Sequence, residues 1–153
     1  MIIKESINQE LAEQVWEISQ HAYEFGSPWP KKIFAEDIAL SHSHYFILEE
    51  KQQVIGFVGV HQVLDELEVT NIAVRPEYKG QGFGFHLIQR LIDYAKEQGI
   101  VQIFLEVRAS NQSARQFYGK YGFKETGLRK KYYAHPIEDA ILMSMRVNEA
   151  NAD

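Results

Sequence analysis

The sequence predicts an α/β chain: a mixed, mostly antiparallel central sheet flanked by helices, in the order β-α-α-β-β-β-α-β-α-β-β. Three observations carry this. Three strand-like runs, "HYFILEE", "VIGFVGVHQV" and "LEVTNIAV", follow one another across short polar turns, which suggests an antiparallel meander. A strand, a long helical stretch and another strand then span residues 67–108, which suggests one parallel crossover, right-handed by rule. The helical stretches carry apolar residues on one stripe only, as helices packed on a sheet do.

Each element has a local reason. Ile2, Ile3 and Ile7 read as a short first strand. Asn8 is placed to cap a helix with Leu11, Val15, Ile18, Ala22 and Phe25 at spacings of three and four. Gly26-Ser27-Pro28-Trp29-Pro30 breaks the chain, and a second short helix covers about 31–40. After the meander, a glycine-rich loop opens a helix with Leu87, Ile88, Leu91 and Ala95 on one face, and Gly99 suits its C-terminal cap. "VQIFLEVR" is strand-like, Asn111 is placed to cap a helix ending near Gly119, and "GFKETGLRKKYY" with "EDAILMSMRV" forms a closing strand pair. The polar tail after about Val147 is expected to fray.

Composition narrows the class. The 153 residues, 45% hydrophobic and 24% charged, are expected to form a single domain, 1–153, with a real core. No apolar run is long enough to span a bilayer, and Met1-Ile2-Ile3-Lys4-Glu5 does not resemble a signal peptide. The absence of cysteine excludes disulfides, a thiol nucleophile and thiolate metal sites, and fits a cytoplasmic protein. A net charge of -5 speaks against nucleic acid as the main ligand and permits a basic protein partner. His42 and His44 would share a strand face, but no third ligand and no His-Glu-x-x-His motif accompanies them, so no metal is expected.

"VRPEYKGQGFGFHL" concentrates Gly80, Gly82 and Gly84 where a strand hands over to a helix. Unpaired N–H groups at a helix start attract phosphates, and glycines remove side chains that would keep a phosphate away. The loop therefore suits a pyrophosphate; equally, it could be a turn that packs its helix tightly on the strand. Two rival nucleotide motifs fail. Nothing matches glycine, four residues, then Gly-Lys-Ser/Thr, and the third glycine of G-x-G-x-x-G would fall on Phe85.

"KGQGFG" followed by a helix resembles the acetyl-CoA loop, R/Q-x-x-G-x-G/A, of the GCN5-related N-acetyltransferases. Lys79 replaces the usual Arg or Gln, while Gly82 and Gly84 match. "NIAVRPEY", "LEVRASNQSARQFYGKYGF", "EDAILM" and "SPWPKKIFAEDI" are similar to the bacterial ribosomal-protein-alanine N-acetyltransferases, across nearly the whole chain. The resemblance implies acetyl-CoA as co-substrate. Its diphosphate would lie on the backbone of Gly80, Gln81, Gly82, Phe83, Gly84 and Phe85, beside Lys79. Its arm would run along Ile72, Ala73 and Val74, with Asn111 also touching it. A backbone N–H near Val74 would face the carbonyl oxygen.

The chemistry asks for a neutral amine, a stabilised carbonyl oxygen and a partner for the departing sulfur. An α-amine, with a pKa near 7.8 against about 10.4 for lysine, has roughly 400 times more neutral form at pH 7. A modest base suffices. Glu106 is the candidate from the residues and from the resemblance alike; alternatively it is a strand-end charge paired with Arg108. Tyr118, on a stripe with Ala114 and Phe117, could simply be core; the resemblance makes it the acid for the leaving sulfur. By the same resemblance Trp29, Tyr132 and Tyr133 would line the groove for the substrate's N-terminus, each taken alone being as readily a packing residue. Glu66 and Glu68 are reserve bases, because other branches of the superfamily use that strand. The basic run Arg129-Lys130-Lys131 stays open between a solvated strand end, a contact for the 3′-phosphate of CoA and a contact for an acidic substrate segment. The expected activity is direct transfer to the α-amine of an alanine-starting ribosomal protein. The alternatives are acetylation of a small amine such as a polyamine or aminosugar, and a non-catalytic acetyl-CoA-binding module.

Overall fold

In a computed structural model that describes residues 2–5 and 10–149, the strands form one seven-stranded sheet in the order β1-β2-β3-β4-β5-β7-β6. They are β1 (Ile2–Glu5), β2 (Ser43–Glu50), β3 (Gln53–Val63), β4 (Glu66–Val74), β5 (Gln102–Arg108), β6 (Lys124–Ala134) and β7 (Ile137–Arg146). The helices are α1 (Leu11–Ala22), α2 (Lys31–Ile38), α3 (Phe83–Glu97) and α4 (Gln112–Lys120). The fold class and the element order are those the sequence predicts. Every neighbouring pair is antiparallel except β4 and β5, which α3 joins.

Both faces of the sheet are covered, and the strands show it. In β2, Phe46 and Leu48 point to one face and Tyr45 and Ile47 to the other, and all four are buried. One layer joins Phe46, Leu48, Val58 and Leu67 to Leu87, Ile88 and Leu91 of α3. The opposite layer joins Ile47 and Phe57 to Leu11, Val15 and Ile18 of α1 and Phe34 of α2. A central strand buried on both sides reads as a continuous apolar run, which is the character of "VIGFVGV". Each fully buried large apolar side chain contributes about 1.5–3 kcal/mol.

Local chemistry ends α3 as expected. Gly99 takes φ +70°; its N–H donates to Lys96 O, and the Ile100 N–H donates to Ala95 O, which is the Schellman pattern. Asn111 caps α4, its Oδ1 accepting from the Ala114 N–H at 3.1 Å. At α1 the expectation changes. The cap candidate Asn8, like Ile7, lies outside the described residues, and Glu10 at the N-cap position makes no side-chain cap bond. Phe25 is not on the helical stripe: α1 stops at Ala22, the chain turns through Gly26 (φ +82°), and Phe25 is 49% exposed. Of the polar tail expected to fray, 150–153 lie outside the described residues, and only its start is seen. Asn148 Nδ2 donates to Ala95 O (3.2 Å) and Ile100 O (2.8 Å), tying the chain to the end of α3.

Two irregularities shape the centre. Gly59 opposes Asn71 while Val60 opposes Val69, so Thr70 is an extra residue in β4, a bulge that bends the strand. Beyond it, β4 leaves β5: the parallel pairing covers only Glu66–Glu68 against Gln102–Phe104. The two strands therefore share a closed end and diverge at the other, opening a cleft in the middle of the sheet.

Candidate active site

One arm of the cleft is backbone. The Arg75 N–H donates to Ile55 O on β3, so by alternation Ala73 turns its main chain to β3, while Ile72 and Val74 turn theirs to the opening. The Ile72 N–H is engaged there by the Tyr23 hydroxyl at 3.1 Å. The glycine loop follows. Gly80 (φ +79°) and Gly82 (φ +83°, the N-cap position of α3) adopt left-handed conformations that other residues reach only with strain, and a Cβ at either would meet nothing within 4 Å. Gly84 differs: a Cβ there would stand 3.3 Å from the Phe117 ring. Close packing of α3 against α4 thus accounts for the third glycine, while the first two leave an open backbone cradle at a helix start. The residues present fit a diphosphate: N–H groups at the head of α3, no side chain in the way, and no acidic residue in the first helical turn. Lys79 points back, its Nζ 3.5 Å from Ala22 O at the end of α1. The Gln81 side chain reaches Glu77 O at 3.4 Å. Phe83 packs on Tyr78 and Phe85 on Tyr121.

The other arm is made of side chains. Glu106, on β5, accepts a hydrogen bond from the Tyr132 hydroxyl, which raises the pKa of that phenol, and lies 3.5 Å from Arg129 Nη1. The pairing of Glu106 with Arg108 is not formed. Arg108 is drawn to the β6–β7 turn, where it bonds Pro136 O (3.0 Å), His135 O (3.1 Å) and Glu138 (3.3 Å). Its guanidinium also lies over Tyr133 (4.4 Å) and Phe25 (4.7 Å). Arg129 thus belongs to the cleft, whereas Lys130 and Lys131 stand exposed where the β6 register shifts.

Tyr118 is buried on α4 between Phe117 and Phe123, as the packing reading of this residue expects. Burial, then the nearby Tyr23 and Tyr133 phenols, push its pKa well above the usual tyrosine range. Burial pushes Tyr23 and Tyr133 up to about 12, with Glu106 adding to the shift at Tyr133. Tyr23, Tyr118 and Tyr133 come from the C-cap of α1, from α4 and from β6, so three distant segments meet at the cleft.

Below this lies a cavity of about 420 Å³ whose charged walls are Glu66, Glu68, Glu106 and Arg129, with His61 at its edge. Trp29 lines a neighbouring depression of about 280 Å³, also reached by His61, while its ring packs on Phe34. His42 and His44 do not share a face. His42 sits in the turn before β2 and meets the His61 ring edge-on, whereas His44 packs on Tyr94 of α3. No group of three or more potential metal ligands occurs among the described residues. No helix among them is long and apolar enough to cross a membrane.

The sequence reading missed Tyr23, Phe25, Arg108 as a clamp, Glu138, and the pair Asp37–His61. Only one of these left a signal in the sequence. Asp37 falls between Phe34 and Ile38 on the apolar stripe of α2, where a charge is out of place unless it has partners.

Comparison with known proteins agrees with this architecture. Residues 12–123 match the model of the Acetyltransferase (GNAT) family. The chain is 39% identical to the [Ribosomal protein bS18]-alanine N-acetyltransferase of Haemophilus influenzae, covering 86% of this chain and 90% of that one. It is 37% identical to the protein of the same name from Escherichia coli K12, over 87% and 89%. The crystal structure of the ribosomal-protein-S18-alanine N-acetyltransferase from Escherichia coli superposes with a TM-score of 0.88 at 34% identity, covering 99% of this chain and 98% of that one. The chain belongs to the GNAT acetyltransferase family. It is an acetyl-CoA-dependent N-acetyltransferase.

Proposed function

We propose that this enzyme acetylates the N-terminal α-amine of a cytoplasmic protein that begins with alanine or another small residue, a small-subunit ribosomal protein being the target. The observation that carries this is the position of Glu106. It lies on the side-chain arm of a cleft whose other arm is main chain, and it is flanked by the aromatic residues Tyr132 and Tyr133. The bacterial relatives named for alanine acetylation of bS18 support the same choice of substrate.

Acetyl-CoA supplies the acetyl group as a thioester. The backbone from Gly80 to Phe85 holds the diphosphate, Ile72 and Val74 hold the pantetheine arm, and Asn111 borders it. The Val74 N–H, turned to the opening, faces the carbonyl oxygen as it gains charge. Glu106 accepts the amine proton, directly or through one water. Tyr118, kept protonated by burial, donates a hydrogen bond to the departing sulfur. Trp29, Tyr132 and Tyr133 line the path of the substrate chain, and Glu66 and Glu68 add negative charge that favours an entering ammonium. With no cysteine in the chain to carry the acetyl group, transfer is direct, in a ternary complex.

The acidic cavity also suits a polyamine, and this is the second reading. Mass spectrometry of ribosomal-protein N-termini from cells with and without the gene separates the two. Loss of one N-terminal acetyl group in the deletion supports the first reading. Unchanged N-termini together with altered acetylated polyamines support the second.

A further inference from the structure

Acetylating an ammonium releases a proton that Glu106 can take up but must pass on before the next turnover. As the C–N bond forms and the C–S bond breaks, the nitrogen loses two protons. One ends on the sulfur; the other must leave the site.

Asp37 and His61 form a group that this reaction has not yet used. Asp37, on α2, is 5% exposed yet accepts hydrogen bonds from Ser43 Oγ (2.8 Å) and the Tyr45 hydroxyl (2.6 Å), and it contacts His61 Nε2 through its other oxygen. A carboxylate only accepts, so the Nε2 facing Asp37 carries a hydrogen, and in the neutral form of the ring Nδ1 has the lone pair. His61 borders both the acidic cavity and the Trp29 depression, and its side chain is 23% exposed. Its strand position connects it to the reaction. His61 is in register with Glu68 on β4, and Glu68 with Phe104 on β5; Glu106 follows two residues later on the same face. His61 and Glu68 are on paired strands about 4.8 Å apart; Glu106 lies two residues beyond the last β4–β5 pair, and all three line the same cavity, which has room for linking water.

We propose that His61, oriented by Asp37, is the proton outlet of the acetyl-transfer site. The surplus proton passes from Glu106 by way of Glu68 and cavity water to Nδ1, and the imidazolium, balanced by Asp37, gives it to solvent at the exposed edge. His61 is a relay residue and Asp37 a positioning residue; neither touches the reacting atoms. The charged and titratable groups around the ring are Asp37 and Glu36 from α2, His42 and Tyr45 at β2, Glu66 and Glu68 from β4, Glu106 from β5 and Arg129 from β6. The balance is acidic, which suits a ring that carries positive charge in transit. The inference rests on Glu106 as the base, as set out above.

The test uses whichever amine the wild-type enzyme acetylates fastest among an alanine-starting peptide, an N-blocked lysine peptide and a polyamine, so a wrong substrate assignment is seen separately. His61→Gln can still donate to Asp37 but cannot carry a proton. Its kcat at pH 7 should fall about tenfold and approach the wild-type value by pH 9, where less amine arrives protonated. His61→Ala should recover kcat on addition of imidazole. A His61→Gln profile parallel to wild type from pH 6 to 9, a raised KM at unchanged kcat, or failure of imidazole to rescue a folded His61→Ala enzyme would each overturn the proposal.

Discussion

The two arms of the cleft are built by different means. The arm formed by the end of β4 and the glycine loop is local: a contiguous stretch of chain, 72–85, whose function depends on main-chain direction and on two left-handed glycines. The facing arm is assembled from afar. Tyr23 and Phe25 follow α1, Glu106 and Arg108 are on β5, Tyr118 is on α4, and Tyr132 and Tyr133 are on β6. The first arm is suited to a constant ligand, because backbone geometry changes little with sequence. The second can be altered one side chain at a time, which suits it to a substrate that differs between relatives.

This contrast predicts that damage to the two arms separates kinetically. The largest effect belongs to the distant arm. Glu106→Gln, nearly isosteric, should lower kcat by about 10²–10⁴ with the KM for acetyl-CoA unchanged, and the loss should shrink as pH rises and more amine arrives neutral. Tyr118→Phe removes one oxygen from a buried site. Its kcat should fall by about 10–10² while acetyl-CoA binding by calorimetry stays within about threefold. On the local arm, Gly82→Val places a β-branched residue at φ +83°. The strain of about 1–2 kcal/mol should weaken acetyl-CoA binding roughly tenfold and leave the peptide KM at saturating acetyl-CoA nearly unchanged. The smallest effect is at Arg108. Arg108→Leu frees Phe25, Tyr133 and the β6–β7 turn, and should raise the peptide KM about three- to tenfold without changing acetyl-CoA binding. A Gly82 variant that lost peptide affinity instead would erase the distinction between the arms.

The same division decides what the sequence reveals. Element order, the parallel crossover, the glycine loop and the caps at Gly99 and Asn111 are all set by neighbours a few residues away, so periodicity and turn chemistry report them. The roles proposed for Glu106 and Tyr118 lean on a family resemblance; spacing alone left each as readily structural. Arg108 shows why. The sequence offers Glu106, two residues away on the same face, as its partner, but the β6–β7 turn presents two carbonyls and Glu138 at shorter range, and no local pattern encodes that turn's position. Phe25 extends a helical spacing that the chain abandons at Ala22, because Gly26 and the following prolines redirect it. Asp37 was legible in principle, as a charge on an apolar stripe; His61, its partner, lies 24 residues on and shows nothing in its own neighbourhood.

The central claim is that the cleft presents an α-amine, and not a side-chain amine, to the thioester. Two synthetic peptides test it most directly: one starting with a free alanine and containing no lysine, and the same peptide with a blocked N-terminus and one internal lysine. With acetyl-CoA and purified enzyme, mass spectrometry should find a single acetyl group on the first peptide and none on the second. Acetylation of the blocked lysine peptide with the free alanine peptide left unmodified would contradict it.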